Sequence, residues 1–270
     1  MRIKIPGHSG CRVEILAGMV LKQATTASSA GRLQVQREKQ QHFKTAINQI
    51  RVPKVLYYNA MSFAMEYLNM LDCIEFFEVA APKTIESRVN LLVQLILEEL
   101  KAAKLREVNS NLFLEKLDTI QKRVPEGIWQ EYYAYHVSKI RECLSRRLVI
   151  PLGQCHGDLT FSNIMFSLEA AEIGLIDFLD SFLESPIVDI IKMRQDTRYN
   201  WTSRWCGRPH DTVRVSIVMF WLDKLLESAF GQIIHASYFR VVEMLNYFRI
   251  APYAQSIAEH QYLSEVLRVL

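Results

Sequence analysis

The sequence predicts an α+β protein of two unequal lobes, a small strand-rich one followed by a larger, mostly helical one. Three observations carry this expectation. The first third consists of short apolar or alternating runs punctuated by glycine and proline. After about Asn69 the apolar residues recur at i, i+3 and i+4, the period of a helix with one buried face. Two short apolar runs, 164–166 and 173–176, then interrupt the helical part around a polar turn, as the arms of a hairpin do. The boundary is drawn after Leu68, giving lobes over 1–68 and 69–270.

Taken in order, 2–5 and 12–16 read as strands around the turn Gly7-His8-Ser9-Gly10, and 20–22 as a third strand entered through Ala17-Gly18. The polar stretch 34–48 has apolar residues at wide spacing and reads as a helix, which Pro53 closes off. Strands follow over 55–58 and 62–67. In the second lobe, Leu91, Leu92, Leu95, Ile96 and Leu100 form one face of a helix over 85–100. Phe113, Leu117 and Ile120 mark another helix, and Ile128, Tyr132, Tyr135, Ile140 and Leu144 a third that stops before Pro151. After the hairpin, 187–270 is helical with a turn-rich interruption around 200–211. There is no internal repeat and no low-complexity tract.

Composition narrows the function class. The chain of 270 residues is half hydrophobic and 23% charged, the profile of an ordered domain. Its formal charge of +3, from 32 basic and 29 acidic residues, gives no general nucleic-acid surface. Five isolated cysteines with no CxxC pair argue against a disulfide framework or structural zinc and for a reducing compartment. No apolar leader and no run of ~20 apolar residues is present, so the expectation is a cytoplasmic protein without a membrane partner.

The chemistry concentrates between His156 and Asp177. The first segment reads Cys155-His156-Gly157-Asp158-Leu159-Thr160-Phe161-Ser162-Asn163-Ile164-Met165-Phe166, the second Ile176-Asp177-Phe178-Leu179-Asp180. Asn163 opens one arm of the hairpin and Asp177 closes the other, so the two lie side by side with Asp158 in the adjoining loop. Phosphoryl transfer needs such a set. Magnesium prefers hard oxygen ligands, which a carboxylate and an amide carbonyl supply, and a second carboxylate must orient the acceptor hydroxyl and take its proton.

His156-Gly157-Asp158-Leu159 with Asn163, followed by Ile176-Asp177-Phe178, resembles the signature of the aminoglycoside phosphotransferase and choline kinase family. The resemblance implies a protein-kinase-like bilobal fold and phosphorylation of small-molecule hydroxyls from ATP, with GTP an alternative donor. It implies that Asp158 is the catalytic base and that Asn163 and Asp177 hold Mg²⁺. It further implies that His156 fixes the catalytic loop and that Asp189, in Ser185-Pro186-Ile187-Val188-Asp189, supports it. Asp180 is read either as a contact to metal or acceptor or as the cap of the next helix.

The first lobe should then hold the nucleotide. Gly7, Ser9 and Gly10 form a loop whose amides can approach phosphate, although it departs from the fuller GxGxxG spacing. Lys22 resembles the β3 lysine of kinase-like folds, with Glu38 on the following helix as its expected ion-pair partner. Met65, Glu66 and Leu68 lie in the segment between lobes that faces adenine in the family, although Met65 and Tyr67 suit core packing equally. Leu179 replaces the glycine of a protein kinase and no long activation segment precedes Pro186, which argues for a small acceptor. Arg198, Tyr199 and Trp201 are candidate walls for that acceptor, expected to be a sugar or polyol; a packed surface loop is the alternative. A regulatory pseudokinase, an atypical protein kinase and a helical interaction protein are the competing readings. The sequence leaves the oligomeric state open.

Overall fold

The computed structural model describes residues 2–5, 11–16, 18–144 and 147–270. The first lobe contains, in chain order, β1 (Arg2–Ile5), β2 (Cys11–Leu16), β3 (Met19–Ala24), α1 (Ala27–His42), β4 (Ile50–Arg51), β5 (Val55–Tyr58) and β6 (Ser62–Glu66). Five of the strands form an antiparallel sheet in the order β1-β2-β3-β6-β5. Register places Lys22 between Val13 and Phe63, on the face shared with Ala24 and Met65. Leu33 of α1 covers that face and closes a small core with Cys11, Ala24, Phe63 and Met65.

α1 begins seven residues before the start that its sequence predicts and stops at His42. Thr26 and Ser29 form a reciprocal capping box that starts the helix, while Ala27 to Arg32 carry no apolar repeat that would betray it.

The second lobe continues with α2 (Cys73–Val79), α3 (Pro82–Ala102), β7 (Lys104–Val108), α4 (Ser110–Gln121), α5 (Glu126–Tyr132), α6 (Ala134–Leu144), β8 (Leu148–Leu152), β9 (Ile164–Phe166) and β10 (Ile173–Leu175). It ends in α7 (Pro186–Thr197), α8 (Trp201–Arg204), α9 (Thr212–Ile234), α10 (Ser237–Phe248) and α11 (Ile257–Val269). The helix expected over 128–144 is two helices. They part at Tyr133, whose backbone leaves the helical region (φ −124°, ψ −32°) and whose buried hydroxyl meets His260 Nδ1 at 2.6 Å. β7 and β8 pair antiparallel, a ribbon that the exposed, charged stretch 104–108 does not announce in sequence.

The expected hairpin is present: Ile173 faces Phe166 and Leu175 faces Ile164. Its outer neighbour is β4, which pairs parallel with β10 through Ile50 and Ile173, so a strand of the first lobe enters the sheet of the second. Beneath the hairpin Phe76 stacks on Phe166 at 4.6 Å and Phe77 meets Phe161 at 5.5 Å, inside the main core. Burial of each such ring stabilises the floor by about 2–3 kcal/mol. Among the described residues no helix is long and apolar enough to cross a membrane.

Candidate active site

The loop ahead of β9 is fixed by its own backbone. Asp189, in the first turn of α7, accepts the amide of His156 at 2.6 Å through Oδ2 and that of Gly157 at 2.8 Å through Oδ1. Burial raises the Asp189 carboxyl against the pull of those two amides. Burial and the Asp189 charge also raise its neighbour Glu99. Glu99 is the better seat for a shared proton, because Asp189 already receives two N–H groups. His156 is wholly buried; its Nε2–H donates to Ile176 O at 2.9 Å and its Nδ1 accepts from Asp158 N at 3.3 Å. Both contacts suit the neutral ring, and burial lowers His156 to about 4. Gly157 adopts φ +88°, where a Cβ would stand 2.1 Å from Leu179 O and 2.9 Å from Lys39 Nζ. Only glycine lets this loop touch the segment that follows Asp177.

Asp158 and Asn163 meet directly. Asn163 Nδ2 donates to Asp158 Oδ2 at 3.1 Å and to Asp158 O at 2.8 Å. The other Asp158 oxygen faces Lys192 Nζ at 3.0 Å. Burial alone would raise the Asp158 carboxyl, but the charge and hydrogen bond of Lys192 outweigh it and hold the group below the ordinary carboxylate range. The sequence reading missed Lys192. It lies three residues after Asp189 on a helix buried along its whole length, and a buried lysine there calls for an anion nearby.

On the hairpin's other arm Asp177 takes the left-handed conformation, φ 65°, one of two non-glycine residues described with positive φ. Aspartate tolerates this better than most residues, at about 1–2 kcal/mol. Ile176 N donates to Asn163 O at 3.0 Å and brings the two arms together. Asp177 Oδ1 forms an ion pair with Lys22 Nζ, and Lys22 is 6% exposed. Polar pairs therefore line the cleft: Lys22 with Asp177, and, across the backbone bond between the two arms, Asn163 and Lys192 with Asp158.

Glu38 does not aim Lys22. Its carboxylate accepts from Arg37 at 2.9 Å and Gln34 at 3.0 Å. It lies two residues from each of the buried Gln36 and Gln40, about 200° around the helix and away from the sheet. The cation that α1 turns toward the second lobe is Lys39, which donates to Glu184 at 2.8 Å and 2.9 Å and to Leu179 O at 2.9 Å.

With this geometry in place, the sequence matches the profile of the phosphotransferase enzyme family (APH) over residues 11–216. The chain belongs to that family. It is an enzyme of the kinase class, as the resemblance implies, with the α+β bilobal fold of its neighbours. The aminoglycoside phosphotransferase APH(2'')-IIa, solved with streptomycin and ATP, shares the fold with a TM-score of 0.56 at 14% identity, over 100% of this chain and 91% of that one. A thermostable mutant of the aminoglycoside phosphotransferase APH(4)-Ia gives 0.65 at 10% identity, over 100% and 94%. An ethanolamine kinase of Plasmodium vivax gives 0.52 at 12% identity, over 100% and 81%. No curated protein matches the sequence.

The remaining expected site residues of this phosphotransferase fall into three groups. Gly7, Ser9 and Gly10 lie outside the described residues. In the segment between lobes, Met65 belongs to the small core, with its Sδ 3.4 Å from Gln40 Nε2; packing accounts for its burial. Glu66 uses its amide and carboxylate on Lys54, at 3.0 Å and 3.1 Å. Leu68 is buried against Gly174, where an added Cβ would stand 2.3 Å from its Cδ1. On the acceptor side, Tyr199 packs on Tyr247 at 5.4 Å and Trp201 on Trp205 and Tyr262 at 5.9 Å and 6.0 Å, while Arg198 lies over Tyr199 at 5.6 Å. These contacts make the stretch a packed seam between α7, α8 and α11, the alternative that its composition left open. Asp180 is exposed, on the segment that leads away from Asp177.

The residues fit magnesium. Asn163 donates from Nδ2, which leaves its Oδ1 as a hard acceptor beside the Asp177 carboxylate, itself about half exposed at 46%. Magnesium keeps several waters and takes only one or two protein carboxylates alongside phosphate oxygens. No cluster of three or more His, Cys, Asp or Glu with metal-binding geometry occurs among the described residues.

Proposed function

We propose that this phosphotransferase moves the γ-phosphoryl group of ATP to a hydroxyl of a small molecule, a sugar or polyol, with magnesium held by Asn163 and Asp177. The supporting observation is the set of polar pairs Lys22–Asp177, Asn163–Asp158 and Lys192–Asp158, which gathers these side chains at the paired ends of the hairpin and the loop before it. Residues 1–68 then serve mainly the nucleotide and 69–270 the acceptor. Five unpaired cysteines accord with a reducing cytoplasm.

Each residue's task follows from its surroundings. Lys22 is a buried ammonium whose counter-ion is a single carboxylate, and it presents positive charge where phosphate oxygens would lie. Bound magnesium would neutralise charge on the transferring phosphoryl group. Asp158 orients the acceptor hydroxyl and takes its proton. Lys192 makes Asp158 a weak base, which suits a loose transition state in which the hydroxyl proton leaves late. Asp189 and His156 hold the loop so that Asp158 does not have to be ordered on each turnover.

The test is transfer of labelled γ-phosphate from ATP to sugars, polyols, amino alcohols and aminoglycosides, with Asp158→Asn as control. Label on a hydroxyl compound that disappears in the control is the expected result. Bound Mg-ATP with no label on any compound moves the assignment to a regulatory nucleotide-binding protein.

A further inference from the structure

A half-buried cation whose Nη1 is enclosed, within electrostatic reach of Asp158, bears on what the acceptor is. Arg249 follows the last turn of α10 and donates its amide to Leu245 O at 3.0 Å. A hydrogen-bonded path leads from the catalytic loop to Asn246, one turn before it. Lys192, paired with Asp158, reaches Gln195 Oε1 at 3.4 Å, and Gln195 Oε1 accepts from Asn246 Nδ2 at 3.0 Å. Arg249 lies one turn beyond Asn246, on the same side of the chain. From the other direction its guanidinium packs over the ring of Phe182 at 5.3 Å, and Phe182 belongs to the segment that carries Asp177 and Asp180. Arg249 therefore stands between the Asp158 network and the strand exit on the far side of the cleft.

Its electrostatics are unbalanced. Nη1 is buried and has no hydrogen-bond partner among the described residues. An unpartnered guanidinium N–H inside a protein is unfavourable unless something else binds it. Burial lowers the Arg249 pKa, and the charges that oppose the shift are those of Asp158, Tyr253 and Asp180. Further cations stand close by. Arg123 lies over the Tyr253 ring at 5.0 Å, and half-buried Lys116 of α4 feels both Arg249 and Arg123. A cationic acceptor such as an amino sugar or ethanolamine would meet repulsion here. A planar anion would complete the guanidinium fork.

Resting on the phosphotransferase reading, we propose that the acceptor carries a phosphate or carboxylate group which Arg249 binds while the acceptor's hydroxyl reaches Asp158. The acceptor is thus a sugar phosphate or sugar acid, in contrast to a neutral polyol or an amine.

The test is calorimetric titration of the full chain, with Mg-ADP present, by ribose 5-phosphate and gluconate and by their counterparts ribose and glucosamine. The expected result is at least tenfold tighter binding of one anionic compound than of either counterpart. Arg249→Gln is expected to erase that preference and Arg249→Lys to restore part of it. Whichever anion binds distinguishes phosphate from carboxylate. Thermal melting without ligand checks folding: removal of an unpaired buried charge should leave Tm unchanged or raise it. Equal binding of the neutral or amine compounds, no binding of either anion, or an anion preference that survives in Arg249→Gln overturns the assignment. Titration of wild type with Mg-ATP separates the two readings. Without nucleotide binding the phosphotransferase reading itself falls; with it, only the acceptor assignment does.

Discussion

Replacing Gly157 by alanine tests whether the loop before Asp158 must touch the segment after Asp177. Two penalties add. An L-residue at φ +88° costs about 1–2 kcal/mol in backbone strain. The new Cβ would lie 2.1 Å from Leu179 O, whereas carbon–oxygen contacts settle near roughly 3.3 Å, so the two segments must part by about 1.2 Å. That movement stretches the bond from Leu179 N to His156 O, already 3.2 Å, and pushes Lys39 Nζ off Leu179 O. Each lost bond removes about 0.5–1.5 kcal/mol, for a total near 3 kcal/mol with the strain. Because the loop carries Asp158 and the other segment continues from Asp177, a displacement of that size should lower kcat about 100-fold. Chemical denaturation reads the stability, and γ-phosphate transfer or slow ATP hydrolysis reads the rate. Gly153→Ala is the control, since its Cβ meets Ala103 at 3.2 Å with ordinary φ and should cost under about 1 kcal/mol. Wild-type kcat and stability in Gly157→Ala would refute the argument that the contact holds the catalytic geometry.

Further outcomes follow from single contacts. Lys192→Met should lower kcat about 10- to 100-fold at unchanged ATP affinity, since a hydrogen bond to a charged group contributes about 1.5–3 kcal/mol; a variant that loses ATP binding instead would place Lys192 in the nucleotide site. His156 folds as a neutral ring with its pKa lowered from 6.5 to about 4. The unfolded chain therefore takes the proton first, and the stability due to the neutral ring is full above pH 6.5 and is lost as pH falls toward 4. Between pH 7 and pH 4.5 wild type should lose about 2–3 kcal/mol that His156→Gln does not lose; an equal gap between the two proteins at both pH values, measured by urea denaturation, contradicts the buried neutral ring.

How much of this was legible in sequence depended on whether the signal was local. The hairpin, with Asn163 and Asp177 at its paired ends, could be read because alternation and spacing fix which residues of two adjacent strands face one another. The first sheet could be read for the same reason. The partner of Lys22 could not: Glu38 and Lys39 are consecutive, and only the phase of a helix with almost no apolar stripe decides which of them faces the cleft. Lys192 and Arg249 were invisible for another reason. Each lies in or just after a helix that reads as core, and its meaning arises from carboxylates far away in sequence. Tyr199 and Trp201 misled because aromatic residues suit a sugar site and a packed seam equally, and the packing partners Tyr247 and Tyr262 belong to helices more than 45 residues on.

The Lys22–Asp177 pair also sets a condition on nucleotide binding. The first lobe has its own small core, and it joins the second through both apolar and polar contacts: Phe43 meets Phe178 at 4.9 Å, Ile50 enters the main core, and Lys22 pairs with Asp177 and Lys39 with Glu184. A phosphate that approaches Lys22 must displace, or share the ammonium with, a carboxylate already in contact. Without metal, Asp177 competes with the nucleotide for Lys22 and repels its phosphates. With magnesium bound, the carboxylate would have a cation of its own and the ammonium would be free for the phosphate. Asp177→Asn should therefore act in opposite directions: tighter binding of metal-free ADP than wild type, by about the 2- to 5-fold that loss of one partly exposed competing charge allows, and weaker binding of Mg-ADP. Titration of both proteins with ADP in chelator and in magnesium decides it. A variant weakened equally in both conditions would show that Asp177 shapes the cleft without exchanging partners, and Lys22 would then be a structural cation.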